Sequence, residues 1–248
     1  MRKRRAIVVF VSGAIVLLLL AGAMPSMIQD SLPRQTAPES GAANSNNTSE
    51  NNSSTGGEDS AAVPAAGSAL EALNQLEVKG RAPKTGYERS QFGNGWAKVN
   101  GCNTRDIILY RDLEGPVLDG DCAVVSGTLN DTYSGETIYF SKEKSAEVQI
   151  DHVVALSDAW QKGAQQLTID QRKQLANDPL ELIAVSGKEN QAKSDSDAAS
   201  WLPKNKAFRC AYVARQIAVK IKYILWVTDA EKAAITTVLQ TCPAQTLP

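Results

Sequence analysis

The chain has 248 residues, 26 lysines and arginines against 27 aspartates and glutamates, four cysteines and a single histidine. A formal net charge of −1 excludes the strongly basic body that coats a polyanion, so any such contact must come from a local patch. One histidine excludes a three-histidine zinc site, and cysteines without a CxxC pair exclude a zinc ribbon.

Residues 2–5 read Arg-Lys-Arg-Arg and are followed by an uncharged, mostly apolar run from Ala6 to Met24, with Ala21 and Ala23 in A-x-A spacing. That order predicts a secretory signal over residues 1–29, or a signal anchor if it is not cleaved, and hence an exported chain, secreted or held at the cell surface. Cleavage removes four cations and leaves 22 − 27 = −5. Residues 30–67 are Ser, Asn, Ala, Gly, Thr and Glu, with Leu32 and Val63 as the sizeable apolar side chains. Such a segment buries too little surface to offset the entropy of ordering, so it reads as a polar linker. One folded domain follows over residues 68–248.

Within that domain, Ser68 to Leu76 has helical spacing, and Gly86 to Trp96 reads as an ordered Gly- and aromatic-rich loop. Thr104 to Asp112 reads as a helix. Ala123 to Leu129 and Thr137 to Phe140, around the turn formers Asn130 to Gly135, predict a β-hairpin. The strongest strand signal is Val148 to Leu156, followed by helices over Ser157 to Ala164 and Thr168 to Ala176, with Ser157 and Thr168 as N-caps. Pro179 then precedes a second strand, Leu180 to Val185, and a helix over Glu189 to Lys193. Two helices close the chain, Phe208 to Val227 and Asp229 to Gln240, the latter capped by Thr228. Export favours paired cysteines, and of three connectivities Cys102–Cys122 and Cys210–Cys242 close the shortest sensible loops, one before the hairpin and one between the last two helices.

Asp151 and His152 end the apolar strand, and 38 residues after His152, past a second strand and a Gly turn, comes Asn190-Gln-Ala-Lys193. Strand, loop, strand, helix is the frame of a ββα-metal site and gives an α+β class. The chemistry of such a site needs a neutral imidazole to take a proton from water and a hard divalent cation, on oxygen ligands, near the leaving oxygen. His152 fits as the base, with Asp151 and Asn190 as metal ligands. Neighbours on a strand point to opposite faces, so Asp151 and His152 share a site only if the strand ends or bends there.

The segments DHVVAL (Asp151 to Leu156), DPLELIAV (Asp178 to Val185), ENQAKSD (Glu189 to Asp195) and AASWLPKNKAFRCAYV (Ala198 to Val213) resemble the HNH (His-Me finger) endonuclease family. Its secreted bacterial branch also shows the GYxRxxFG segment, matched at Gly86, Tyr87, Arg89, Phe92 and Gly93, and CNTRDxxLxRD, matched from Cys102 to Asp112. The similarity spans about Pro83 to Pro243. It implies metal-dependent hydrolysis of phosphodiester bonds in DNA or RNA by a monomer, with Mg²⁺ as the ion and Mn²⁺ or Ca²⁺ as alternatives. By position it implies His152 as general base and Asp151 and Asn190 as metal ligands. Glu181 stands where the family usually has an Asn whose amide supports the base-bearing loop. A Glu accepts a hydrogen bond there but donates one only when protonated, and this opens a second reading, a catalytically degraded module that binds a polyanion.

For the substrate, Lys193 lies nearest the motif and is expected at the scissile phosphate. Arg105 and Arg89 are expected there too, against the alternative of ion pairs with Asp106, Asp112 or Glu88. Between Asp197 and Asp229 there is no acid, while Lys204, Lys206, Arg209, Arg215, Lys220 and Lys222 offer six cations for a phosphate backbone, or else a solvated face. Trp160, Trp201 and Trp226 read as core, and no aromatic–basic ladder for unpaired bases is evident in the linear sequence.

Overall fold

The computed structural model describes residues 67–248, so the leader at 1–29 and all but the last residue of the linker at 30–67 lie outside the described residues. The chain begins with α1 (Ala69–Gln75), capped by the Ser68 hydroxyl, and passes through a 3₁₀ turn at Arg89–Phe92. A small ribbon, β1 (Lys98–Val99) with β2 (Cys102–Asn103), leads into α2 (Thr104–Asp112), whose cap is the Asn103 side chain. Three antiparallel strands follow, β3 (Glu114–Asp119), β4 (Ala123–Asn130) and β5 (Thr137–Ser141). Next come β6 (Val148–His152), α3 (Leu156–Gln161), α4 (Ile169–Asn177), β7 (Leu182–Ser186) and α5 (Gly187–Lys193). The chain ends with α6 (Arg209–Lys222) and α7 (Asp229–Gln240), the latter capped by Thr228 as expected.

Strands β6 and β7 pair antiparallel, with Asp151 opposite Ile183 and His152 opposite Leu182. Both faces of this pair are covered, which is why β7 is buried at every position instead of alternating. On one side Val148, Ile150, Leu182 and Ala184 pack with α2 and the three-stranded sheet. On the other, Ile183 and Val185 join the larger core made with α1, α3, α4, α6 and α7. Gly187 opens α5 at a point where a Cβ would lie 2.0 Å from the Ala146 carbonyl oxygen, so only glycine lets α5 start against the β6 approach. Disulfides join Cys102 to Cys122 and Cys210 to Cys242, and no cysteine is free. No helix among the described residues is long and apolar enough to cross a membrane.

Several bounds differ from expectation: α3 begins at Leu156 without a side-chain cap, so Ser157 lies inside it, β7 starts two residues later, and α5 two residues earlier, than expected. Three further differences have local reasons. The strand expected over Val148 to Leu156 stops at His152: the Val153 amide still bonds the Glu181 carbonyl (2.9 Å), but the Glu181 amide turns back to the Asp178 carbonyl (2.9 Å) and the Val154 amide goes to Glu181 Oε2 (3.2 Å). The helix expected to reach Val227 ends at Lys222: Ile224 adopts φ 54° and the Leu225 amide returns to the Lys220 carbonyl at 2.9 Å. This is a C-terminal motif normally made with glycine, and Ile224 carries no such signal. The unforeseen strand β3 contains Pro116, tolerated because β3 is an edge strand with an irregular register.

Candidate active site

A cleft of about 690 Å³ opens where β6 ends, and its walls include Asp151, His152, Asn190, Arg89, Arg105 and Trp96. Asp151 and His152 do point to opposite faces of β6, and both reach one cleft because the strand terminates at His152.

The imidazole of His152 is buried and its Nε2 lies 3.0 Å from the Ala176 carbonyl oxygen. A carbonyl only accepts, so Nε2 carries the proton and Nδ1 keeps its lone pair, with no protein partner among the described residues. The carbonyl belongs to the last turn of α4, where helix geometry leaves acceptors unused. Trp96 stacks on the ring, centroids 5.8 Å apart and planes 7° apart. Burial lowers the His152 pKa to about 3, opposed by the Ala176 hydrogen bond and reinforced by the charges of Arg89 and Lys193. The ring is therefore neutral at ordinary pH.

Asp151 is held from two sides. The Tyr133 hydroxyl donates to Oδ2 at 2.7 Å, and Lys193 Nζ lies 3.0 Å from each carboxylate oxygen while also donating to the His152 carbonyl at 2.8 Å. Asn190 donates its amide to Gln149 Oε1 at 2.9 Å, which fixes the side chain and leaves its carbonyl oxygen without a protein partner among the described residues. One carboxylate and one amide oxygen on the same cleft suit a hard cation that completes its shell with water and phosphate. Among the described residues no cluster of three or more His, Cys, Asp or Glu could grip a metal by itself.

Glu181 lies fully buried behind the base and accepts from the Val154 amide. Burial raises its pKa well above the usual carboxylate range, against the Val154 hydrogen bond and the charge of Lys193. Its Oε2 gives the loop after His152 the acceptor that an amide would offer, while Oε1 has no partner among the described residues.

The cations are arranged differently from the linear reading. Lys193 is not at the cleft surface: it is fully buried under Asp151, where it neutralises that carboxylate. Lys204 pairs with Glu189 at 2.6 Å, and Arg209 donates to the Pro203 carbonyl at 2.7 Å; neither lines the cleft. Nor does α6 offer a free basic face. Lys220 is buried against Glu231, Arg215 donates to the carbonyls of Leu180, Pro179 and Leu182, and Lys222 pairs with Asp178. A run of cations in sequence says nothing about partners brought in from elsewhere in the fold. Arg89 and Arg105 do line the cleft, and neither forms an ion pair among the described residues. Arg105 is steered by the Val148 carbonyl at 3.2 Å and lies over the Phe140 ring.

The residues that sequence reasoning missed are Trp96, Tyr133 and Ala176. Trp96 stood in the Gly-aromatic loop already marked as ordered, which was the one available signal; a tyrosine in a hairpin turn and a backbone carbonyl have none.

Residues 110–238 match the family described as GmrSD restriction endonucleases, C-terminal domain. The chain belongs to that family. The match begins within α2 and takes in β3 to β7 and nearly all of α7, so every site residue from Tyr133 to Lys193 lies inside the family region, while Arg89, Trp96 and Arg105 precede it. An uncharacterized secreted protein of Arthroderma benhamiae is 42% identical over 183 residues, 73% of this chain and 87% of the relative. No solved structure matches the chain.

Proposed function

We propose that the protein is an exported, metal-dependent endonuclease of the HNH (His-Me finger) type, hydrolysing phosphodiester bonds of DNA, or of RNA, with low sequence specificity. Its family region, named for restriction endonucleases, and its secreted relative support nuclease chemistry and export. The pairing of β6 with β7 and the helix α5 directly after β7 support a ββα site, with α3 and α4 inserted between the two strands. One observation carries the reading: the chain's single histidine is fixed as the Nε2–H tautomer, with Nδ1 open, beside Asp151, Asn190, Arg89 and Arg105 on one cleft.

In this reading His152 Nδ1 takes a proton from water, whose oxygen then attacks phosphorus. Ala176 holds the Nε2–H, and so the tautomer, throughout. Glu181 and Lys193 keep the end of β6 from shifting, since both bind the backbone beside His152. Arg89 and Arg105 hold the phosphate oxygens. Asp151 and Asn190 would hold a divalent ion such as Mg²⁺. When bound, that ion supplies positive charge for the developing 3′-oxyanion. Low specificity fits the absence of a base-reading module among the described residues.

The test is plasmid cleavage by the purified, disulfide-bonded chain with Mg²⁺, Mn²⁺, Ca²⁺ or EDTA, beside His152→Ala. Nicking that needs metal and disappears in the folded variant is the expected result. Turnover that survives in His152→Ala refutes the assignment of the base, and a folded wild type inert with every metal on DNA and RNA leaves a binding module.

A further inference from the structure

Phosphate chemistry accounts for the large cleft but not for a second cavity beside it. This cavity, of about 190 Å³, is lined by Phe92, Trp96, Leu156, Ala176 and His152, with Arg89 shared between it and the cleft. Trp96 and His152 also line both spaces, so their stacked rings form part of the partition. The remaining wall is backbone: Gly93 and Gly95 adopt φ 104° and 99°, a conformation that swings Trp96 back over His152. The lining combines the rings of Phe92 and Trp96 and the Leu156 side chain with the polar groups of Arg89 and His152.

A phosphate or a hydrated ion would use only the polar part of such walls, since Phe92, Trp96 and Leu156 offer it no partner. A flat heterocycle attached to a phosphate suits both parts at once. A cavity of about 150 Å³ accepts a benzene ring, so the space is of the size one base ring needs. In a duplex the base faces are covered by their neighbours and only the backbone is presented, so an occupant of this kind must be unpaired.

We infer that the cavity between Phe92 and Trp96 is a nucleobase subsite: it receives the unpaired base next to the phosphate held by Arg89, and makes single-stranded nucleic acid, or an unpaired stretch of duplex, the preferred substrate. The inference rests on the nuclease reading for the placement of the phosphate, not for the existence of the subsite. Tyr87, also on the cleft wall and 6.3 Å from Phe92, extends the aromatic surface toward a neighbouring base. The aromatic and basic groups absent as a ladder in sequence are thus assembled by folding.

The experiment is fluorescence anisotropy with the full chain in EDTA at one fixed salt concentration, using a labelled twelve-residue DNA strand and the same strand in duplex. The single strand is expected to bind at least about tenfold more tightly. Trp96→Ala should weaken that binding roughly 5- to 150-fold, the range for losing one base stack, and leave the duplex within about twofold. Should Trp96→Ala not fold, quenching of tryptophan emission by the single strand, present in wild type and reduced in Trp96→Phe, makes the same test. Equal binding of strand and duplex, or an equal loss on both in the variant, overturns the inference. Metal-dependent plasmid cleavage without strand preference would refute the subsite and leave the nuclease standing. Strand-selective, Trp96-dependent binding by a chain that cleaves nothing would do the reverse.

Discussion

Lys162 ties α3, the helix that follows β6, to the rest of the domain, and its replacement by methionine should be costly. Its ammonium, fully buried, lies 2.8 Å from Asp158, 2.7 Å from Asp197 and 2.6 Å from Glu231. Arg81 adds 2.8 and 2.7 Å contacts to Asp158 and Asp197, and Lys220 a 3.0 Å contact to Glu231. Three cations face three anions, so the cluster is neutral. Lys162→Met has nearly the same length and leaves two against three, an uncompensated charge in the core. Removing one partner of a buried pair costs about 3–5 kcal/mol. For a domain of this size that is a fall in Tm of roughly 6–20 °C, read by circular dichroism. Adding Glu231→Gln restores two against two and should recover at least half the loss. A single-variant loss under about 1 kcal/mol, or a double variant no better than the single, would refute charge balance as the role of Lys162.

The cluster also fixes the pH window of that effect. Burial works against the charged form of Lys162, but Asp158 and Glu231 outweigh it and raise the pKa above 10.5. Burial likewise opposes the Asp197 carboxylate, and Lys162 and Arg81 outweigh it, lowering the pKa below 3.8. A raised lysine contributes stability that is full below 10.5 and is lost as pH climbs through the folded value. A depressed aspartate contributes stability that is full above 3.8 and is lost as pH falls through its folded value. The advantage of wild type over Lys162→Met should be flat between about pH 5 and 9 and shrink outside that range.

Two further substitutions probe the site itself. Burial raises the Glu181 pKa well above 4.5, so wild-type stability falls as pH rises from 4.5 toward the folded value; Glu181→Gln, neutral throughout, should gain Tm relative to wild type as pH rises above about 5, and a difference that stays flat with pH would refute the raised pKa. Ser194 lines the cleft after α5 with φ 52° and ψ −124°, a region that glycine occupies freely; Ser194→Gly should add about 1 kcal/mol in chemical denaturation, strain relief exceeding the entropy glycine loses on folding, and a destabilised variant would show that the serine is unstrained.

The helices were legible because their signals are local. Ser68, Thr168 and Thr228 each cap the helix expected after them, and α2 spans the residues its apolar spacing marked. Both cysteine pairs were also legible, since short loops and paired elements left few alternatives. At the site, sequence order put Asp151, His152 and Asn190 near one another, and they do line one cleft. What it did not carry is where charge goes on folding. Lys193 follows the motif closely enough to look like a phosphate contact, yet Asp151 is its nearest anion and the pair is buried together. Glu181 looked like a defect because its ionisation state was unknown; burial decides that state, and burial is a property of the fold.

In the nuclease reading, the distribution of cations accounts for how a chain of net charge −1 would work on a polyanion. Arg81, Lys162 and Lys220 balance buried acids, Lys193 balances Asp151, and Arg111 and Arg215 donate to carbonyls between Pro179 and Leu182, next to Glu181. All of these stiffen the frame that holds β6, β7 and α3 in place. On the cleft wall, Arg89 and Arg105 form no ion pair among the described residues. Two such cations cannot supply the affinity of a basic surface, because each phosphate contact releases only about one counterion. Attraction is therefore weak at a distance and effective only where a phosphate enters the concavity. In that reading, entry brings it beside a neutral imidazole whose Nδ1 has no protein partner among the described residues, so recognition and chemistry would depend on the same few ångströms at the end of one strand.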